Sequence, residues 1–139
     1  MPIDHWIDTD HRLVRARARG ILTDDDVFKF QREIGSNSAV AGYDELVDMT
    51  EVEHIALPSV GRIRDLARLS AGMDARGTAS KFAIVAPSPL AYGLGRMYEA
   101  YRGLESRSTR NVAVFKTLPE ALAFLGIKAD GERSKGTGA

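Results

Sequence analysis

Between positions 46 and 66 the chain reads LVDMTEVEHIALPSVGRIRDL, and most of its chemistry-bearing side chains fall there. Asp48, Thr50, Glu51, Glu53 and His54 stand within seven positions. Carboxylates beside a histidine are the groups of general acid–base catalysis or of an oxygen-rich cation site. The same residues have a plainer use. Asp and Thr at a strand end satisfy loop amides, and a histidine among acids on a loop is ordinarily solvated. The other histidines, His5 and His11, belong to an N-terminal hairpin, and no paired-histidine metal motif exists. A hydrolase built on Asp48 and His54 is therefore the last of three functional readings.

Ser59 is the second candidate. At the start of a helix its hydroxyl stands beside free backbone N–H groups, where a phosphate is stabilised by the helix dipole. As a plain N-cap it contributes ~1 kcal/mol. Pro58 competes with it as the first helical position. Arg62, Arg64, Asp65 and Arg68 project outward from that helix. Arg15, Arg17 and Arg19 line one side of an alternating run; they serve either as a docking stripe for acidic groups or as a solvated strand face.

Further on, Gly93-Leu94-Gly95 suggests a phosphate loop. The dinucleotide fingerprint fails because Tyr98 stands where its third glycine belongs and the segment is helical. Gly93 shares a helical side with Leu90 and Met97, which predicts close packing there. Met73, Leu90, Gly93, Met97 and Tyr101 are the candidates for a small apolar pocket between two helices. Gly-x-Ser-x-Gly is absent, so no nucleophile elbow is expected.

These residues need elements to hold them. Ile3 to Asp8 alternates, and Arg12 to Arg19 does so more sharply, giving a β-hairpin closed by Gly20. Thr23 caps a helix over Asp24–Ile34, whose acidic first turn suits the dipole. A central strand follows over Tyr43–Met49, then a loop from Glu51 to Leu57. The second helix carries Val60, Ile63, Ala67, Ser70 and Met73 on its inner side; Gly72 and Gly77 bracket the next loop. Lys81–Ala86 is an apolar run typical of a strand covered on both faces. Ser88-Pro89 opens a third helix with the period Leu90, Leu94, Met97, Tyr101, Leu104. Asn111–Phe115 is another strand. Thr117-Leu118-Pro119-Glu120 is a capping box for a last helix ended by Gly126.

The expectation is an α/β domain over residues 1–127: a hairpin followed by β-α units, about five strands in a mixed, mostly parallel sheet, with four helices. Residues 128–139, with too little apolar surface to offset the cost of ordering, are expected to be a flexible tail. With 139 residues the chain suits one domain without staples. It has no cysteine, and 19 basic residues balance 19 acidic ones. Disulfides and thiolate metal sites are thereby excluded, and no phosphate-neutralising excess marks a nucleic-acid binder. No apolar run spans a bilayer and the N-terminus is not a signal peptide, so a cytoplasmic protein without cofactor or metal is expected.

Val47-Asp48-Met49-Thr50 leads through Ile55 into a helix that opens near Ser59. This strand end, together with the order of elements, resembles the STAS and SpoIIAA-like domains, relatives of bacterial anti-sigma-factor antagonists. The resemblance implies a non-catalytic regulatory module acting through protein–protein contacts. Its surface would comprise Asp48, Thr50, His54, Ser59 and Arg62, with a regulatory serine at the helix start. The antagonists' Asp-Ser-Gly signature is absent, since Ala56-Leu57-Pro58-Ser59-Val60-Gly61 stands in its place, with Ser59 one position late. The chain looks more like the broader STAS/SEC14 group, whose SEC14 side implies a small apolar or lipid ligand. A protein partner, a homodimer and an apolar ligand are the partners these readings leave open.

Overall fold

The computed structural model describes residues 2–56, 59, 61–74 and 79–128. Pro58 and Val60, the Gly77 end of its loop and the tail from Ala129 lie outside them. Among the described residues the order is β1 (Ile3–Asp8), β2 (Leu13–Thr23), α1 (Asp24–Gly35), β3 (Asp44–Ala56), α2 (Gly61–Met73), β4 (Ser80–Val85), α3 (Pro89–Gly103), β5 (Arg110–Phe115) and α4 (Leu118–Leu125). The five strands form one sheet in the order β1-β2-β3-β4-β5. β1 runs antiparallel to β2, and every other pair is parallel. The expected mixed sheet with four helices is what the chain forms.

Alternation sorts side chains onto two faces. Val14, Ala16, Val47, Phe82, Ile84, Val112 and Val114 point to one, where Phe30 and Ile34 of α1, Ala67 of α2, and Ala91 and Tyr98 of α3 pack on them. Leu13, Leu46, Ala83 and Val85 point to the other, under Ala121, Leu122 and Leu125 of α4. α4 covers the β3–β5 part of this second face and reaches β2 only at its first residue, Leu13. On the β1–β2 half, Arg15 sits 5.7 Å over the Trp6 ring, Arg17 pairs with Glu51 at 3.5 Å and Arg19 with Asp4 at 2.7 Å. The arginine stripe thus has its own partners.

The caps follow the sequence. Thr23 accepts from Asp26 N–H while Asp26 accepts from Thr23 N–H, a reciprocal box at α1. Ser88 caps α3 with Pro89 in the first turn, and Thr117 caps α4. Gly126 closes α4 at φ +74°, where a glycine pays no Cβ penalty.

Two boundaries depart from expectation. Gly20 does not end β2: at φ +66° it sits in a stretch of register shifts, and the strand runs on to Thr23. The segment Glu51–Ala56, expected as loop, is strand, paired with Arg19–Thr23. Past Asp48, β3 has no partner in β4. β2 and β3 therefore continue together as a two-stranded extension that ends beside the start of α1.

Candidate functional site: an apolar cavity under the first two helices

The strand extension changes the geometry of the candidate rim. Asp48 and His54 lie opposite Arg17 and Ile21 of β2, four positions apart across two register shifts, which separates their backbones by roughly 13 Å at about 3.3 Å per residue. Direct proton transfer needs hydrogen-bond reach, and this backbone spacing does not bring the pair together. Asp48 instead accepts from the Thr50 N–H at 2.9 Å and from its hydroxyl, the local turn-like use of such residues. His54 is exposed, beside Ile21 in the register of β2. Among the described residues no cluster of His, Asp or Glu is placed to hold a metal ion. No described helix is long and apolar enough to cross a membrane.

Ser59 is exposed just ahead of α2, with its carbonyl accepting from Arg62 N–H at 3.2 Å. Arg62 does not project outward as its position on the helical wheel suggests. It turns to α1, where its Nε meets Asp24 at 2.7 Å, its terminal nitrogen approaches Asp25 at 3.5 Å, and its guanidinium lies 4.1 Å over the Phe28 ring. The hydrogen bond from Arg62 holds the Asp24 carboxyl below its ordinary range.

Behind this pair lies a cavity of about 140 Å³ between the sheet and the helices α1, α2 and α3. Its mouth is formed by Thr23, Asp24, Phe28 and Arg62; its walls by Val27 and Phe30 of α1, Ile63 and Leu66 of α2, and Leu94 and Gly95 of α3. Val47, Met49 and Ile84 form the sheet side, and Leu22 and Ile55 of the strand extension complete it. The long β2–β3 pair is what supplies this last wall.

The five pocket candidates from the sequence sit elsewhere. Leu90 is 57% exposed, and Gly93 has no atom within 4 Å of a Cβ built on it. Met97 and Tyr101 are half-buried on the neighbouring side of α3. Met73 packs its sulfur against Gly35. The inward stripe of α3 is Ala91, Gly95, Tyr98 and Arg102, one position around from the leucine stripe. Gly95, not Gly93, makes the close approach: a Cβ there would stand 3.0 Å from Val114 Cγ1.

The inner end of the cavity is polar. Glu45 lines it and is only 4% exposed. Its Oε1 accepts from Arg110 at 3.0 Å, and no hydrogen bond from a described residue reaches Oε2. Arg110 also approaches Asp74 at 3.7 Å; Asp74 binds Arg102 at 2.6 Å, and Arg102 donates to the Tyr98 hydroxyl at 2.7 Å. Gln31 accepts from Ser70 at 3.0 Å nearby. Burial pushes the Glu45 carboxyl up from its ordinary range, against the pull of Arg110, and pushes the Tyr98 phenol up as well. Glu45 was legible: it falls on the same alternation as Val47 and Met49, and a carboxylate in an inward-facing set is an anomaly that marks a site.

No family model matches the chain, and no curated protein matches it. Among solved structures, an uncharacterized protein of the DUF3478 family from Shewanella loihica, described as having a SpoIIAA-like fold, superimposes with a TM-score of 0.55. The match covers 88% of this chain and 93% of that one at 20% identity. The fold seen here is accordingly SpoIIAA-like.

Proposed function

We propose that this SpoIIAA-like domain is a non-catalytic binding module that takes up one small apolar ligand between α1, α2 and the sheet. The cavity carries the reading. Its lining is almost wholly apolar, so a ligand of matching shape removes that surface from water and gains contacts on every wall. Its size also sets the ligand class. Apolar cavities of about 150 Å³ stay dry and accept benzene, so the natural occupant is a single ring or a short branched chain. A full-length lipid tail requires α1 and α2 to separate at the Asp24–Arg62 contact.

The test is a thermal-unfolding titration with toluene, in wild type and in Val27→Phe, which places a ring at the cavity wall. Ligand at ten times its Kd stabilises by about 1.4 kcal/mol, a Tm rise of ~3–5 °C. The expected result is a saturable rise in wild type and none in the folded variant. A wild-type Tm that does not respond overturns the reading.

A further inference from the structure

The cavity is apolar around its walls but ends on a carboxylate, and that carboxylate is half used. Glu45 is on β3 opposite Phe82 of β4, deep in the sheet, and Oε1 is committed to Arg110 at 3.0 Å while Oε2 accepts from no described residue. A carboxylate offers about four acceptor positions, so Glu45, with Oε1 bonded to Arg110, has capacity left to accept from a donor in the cavity. The surrounding charges narrow what can meet it. A carboxylate-headed ligand would face Glu45 with like charge, while Arg110 is already shared between Glu45 and Asp74. A cationic head would be opposed by Arg110 itself. A neutral hydroxyl, donating one hydrogen bond and carrying no charge, meets neither obstacle. Gln31 does not compete for this role, because its amide oxygen accepts from Ser70 and its nitrogen faces the Met73 sulfur at 4.0 Å.

We propose that the cavity selects a small alcohol or phenol, with the hydroxyl donating to Glu45 Oε2 and the apolar body lying toward Phe28 and Ile63. The inference rests on the cavity reading above and adds to it the head group and the orientation. Glu45 is then a specificity-determining residue that accepts a hydroxyl and rejects an acid of the same shape.

The experiment is an NMR titration of the wild-type chain with benzene, phenol and benzoate. A hydrogen bond to a buried charged acceptor is expected to make phenol bind about tenfold tighter than benzene or better, with benzoate showing no saturable binding. Ring protons next to the phenol hydroxyl should give NOEs to Phe82 and Tyr98, and the opposite ring proton to Ile63. In Glu45→Gln the phenol advantage should shrink and the exclusion of benzoate should relax. Phenol no tighter than benzene, benzoate binding as well as phenol, or the reverse orientation overturns the hydroxyl inference while saturable benzene binding leaves the cavity reading standing. A folded Glu45→Gln protein with an unchanged preference also overturns the hydroxyl inference. No binding by any of the three probes overturns the cavity reading and this inference with it.

Discussion

Glu45 and Arg110, 65 positions apart in the chain, meet at 3.0 Å where the cavity ends. The contact ties β3 to β5 across the intervening β4. It also holds a buried carboxyl between one cation and an apolar space, so that burial wins over attraction and its pKa rises.

That direction fixes a pH dependence. A carboxyl whose folded-state pKa is raised adds stability below its unfolded value, near 4.5, and that contribution is lost as pH climbs through the raised folded value. The stability of wild type minus that of Glu45→Gln should therefore fall as pH rises above about 4.5. Urea denaturation of both proteins across this range checks it; a difference that grows with pH would contradict it.

Asp74 and Arg102 form a buried pair, with side chains 4% and 2% exposed. Removing one partner strands the other charge, at a cost of about 3–5 kcal/mol. Asp74→Ala should lose that much in chemical denaturation. The loss arises far from the cavity mouth, so the residual folded protein should keep its apolar ligand.

The two glycines of α3 should respond in opposite ways. Gly93 faces open space, and Gly93→Ala should stabilise by about 0.5–1 kcal/mol through the helix backbone. At Gly95 the new methyl meets Val114 at 3.0 Å, and overpacking of about 1–3 kcal/mol offsets the helix gain. Equal effects in thermal unfolding would mean that α3 does not press on β5 as described.

The Arg62–Asp24 contact spans the cavity mouth between α2 and α1. Arg62→Ala should speed ligand exchange, read by NMR line shapes, with the fold retained. Because the pair touches solvent, added salt should speed exchange in wild type and leave the variant unchanged. Acid should act like the substitution. The Asp24 carboxyl is held below its ordinary 3.8, so the stability it adds is present above that value and is lost as pH falls through its folded pKa.

Much of the fold was legible because local and global signals agree. Thr23, Ser88 and Thr117 cap helices where their spacing predicts, and the strands alternate as written. The misplaced features share a cause: tertiary contacts that a helical wheel or a turn rule does not contain. Gly20 reads as a terminator, yet its positive φ serves a strand that continues because β3 continues beside it. The stripe Leu90–Leu94–Met97–Tyr101 outweighs Ala91–Gly95–Tyr98–Arg102 in hydrophobicity, yet small residues let α3 approach Val114 and a buried ion pair makes Arg102 an inward residue. The cavity went unseen for the same reason. It depends on α1, which the sequence offered as an ordinary amphipathic helix, and on strand residues Leu22 and Ile55 that were expected outside the sheet.

The most direct measurement is the map of methyl and amide shifts produced by benzene. Saturable shifts centred on Val47, Leu66, Ile84 and Leu94 are predicted, with Met73, Leu90, Met97 and Tyr101 little changed. Shifts centred on the second set, or none that saturate, would contradict an apolar binding site under α1 and α2.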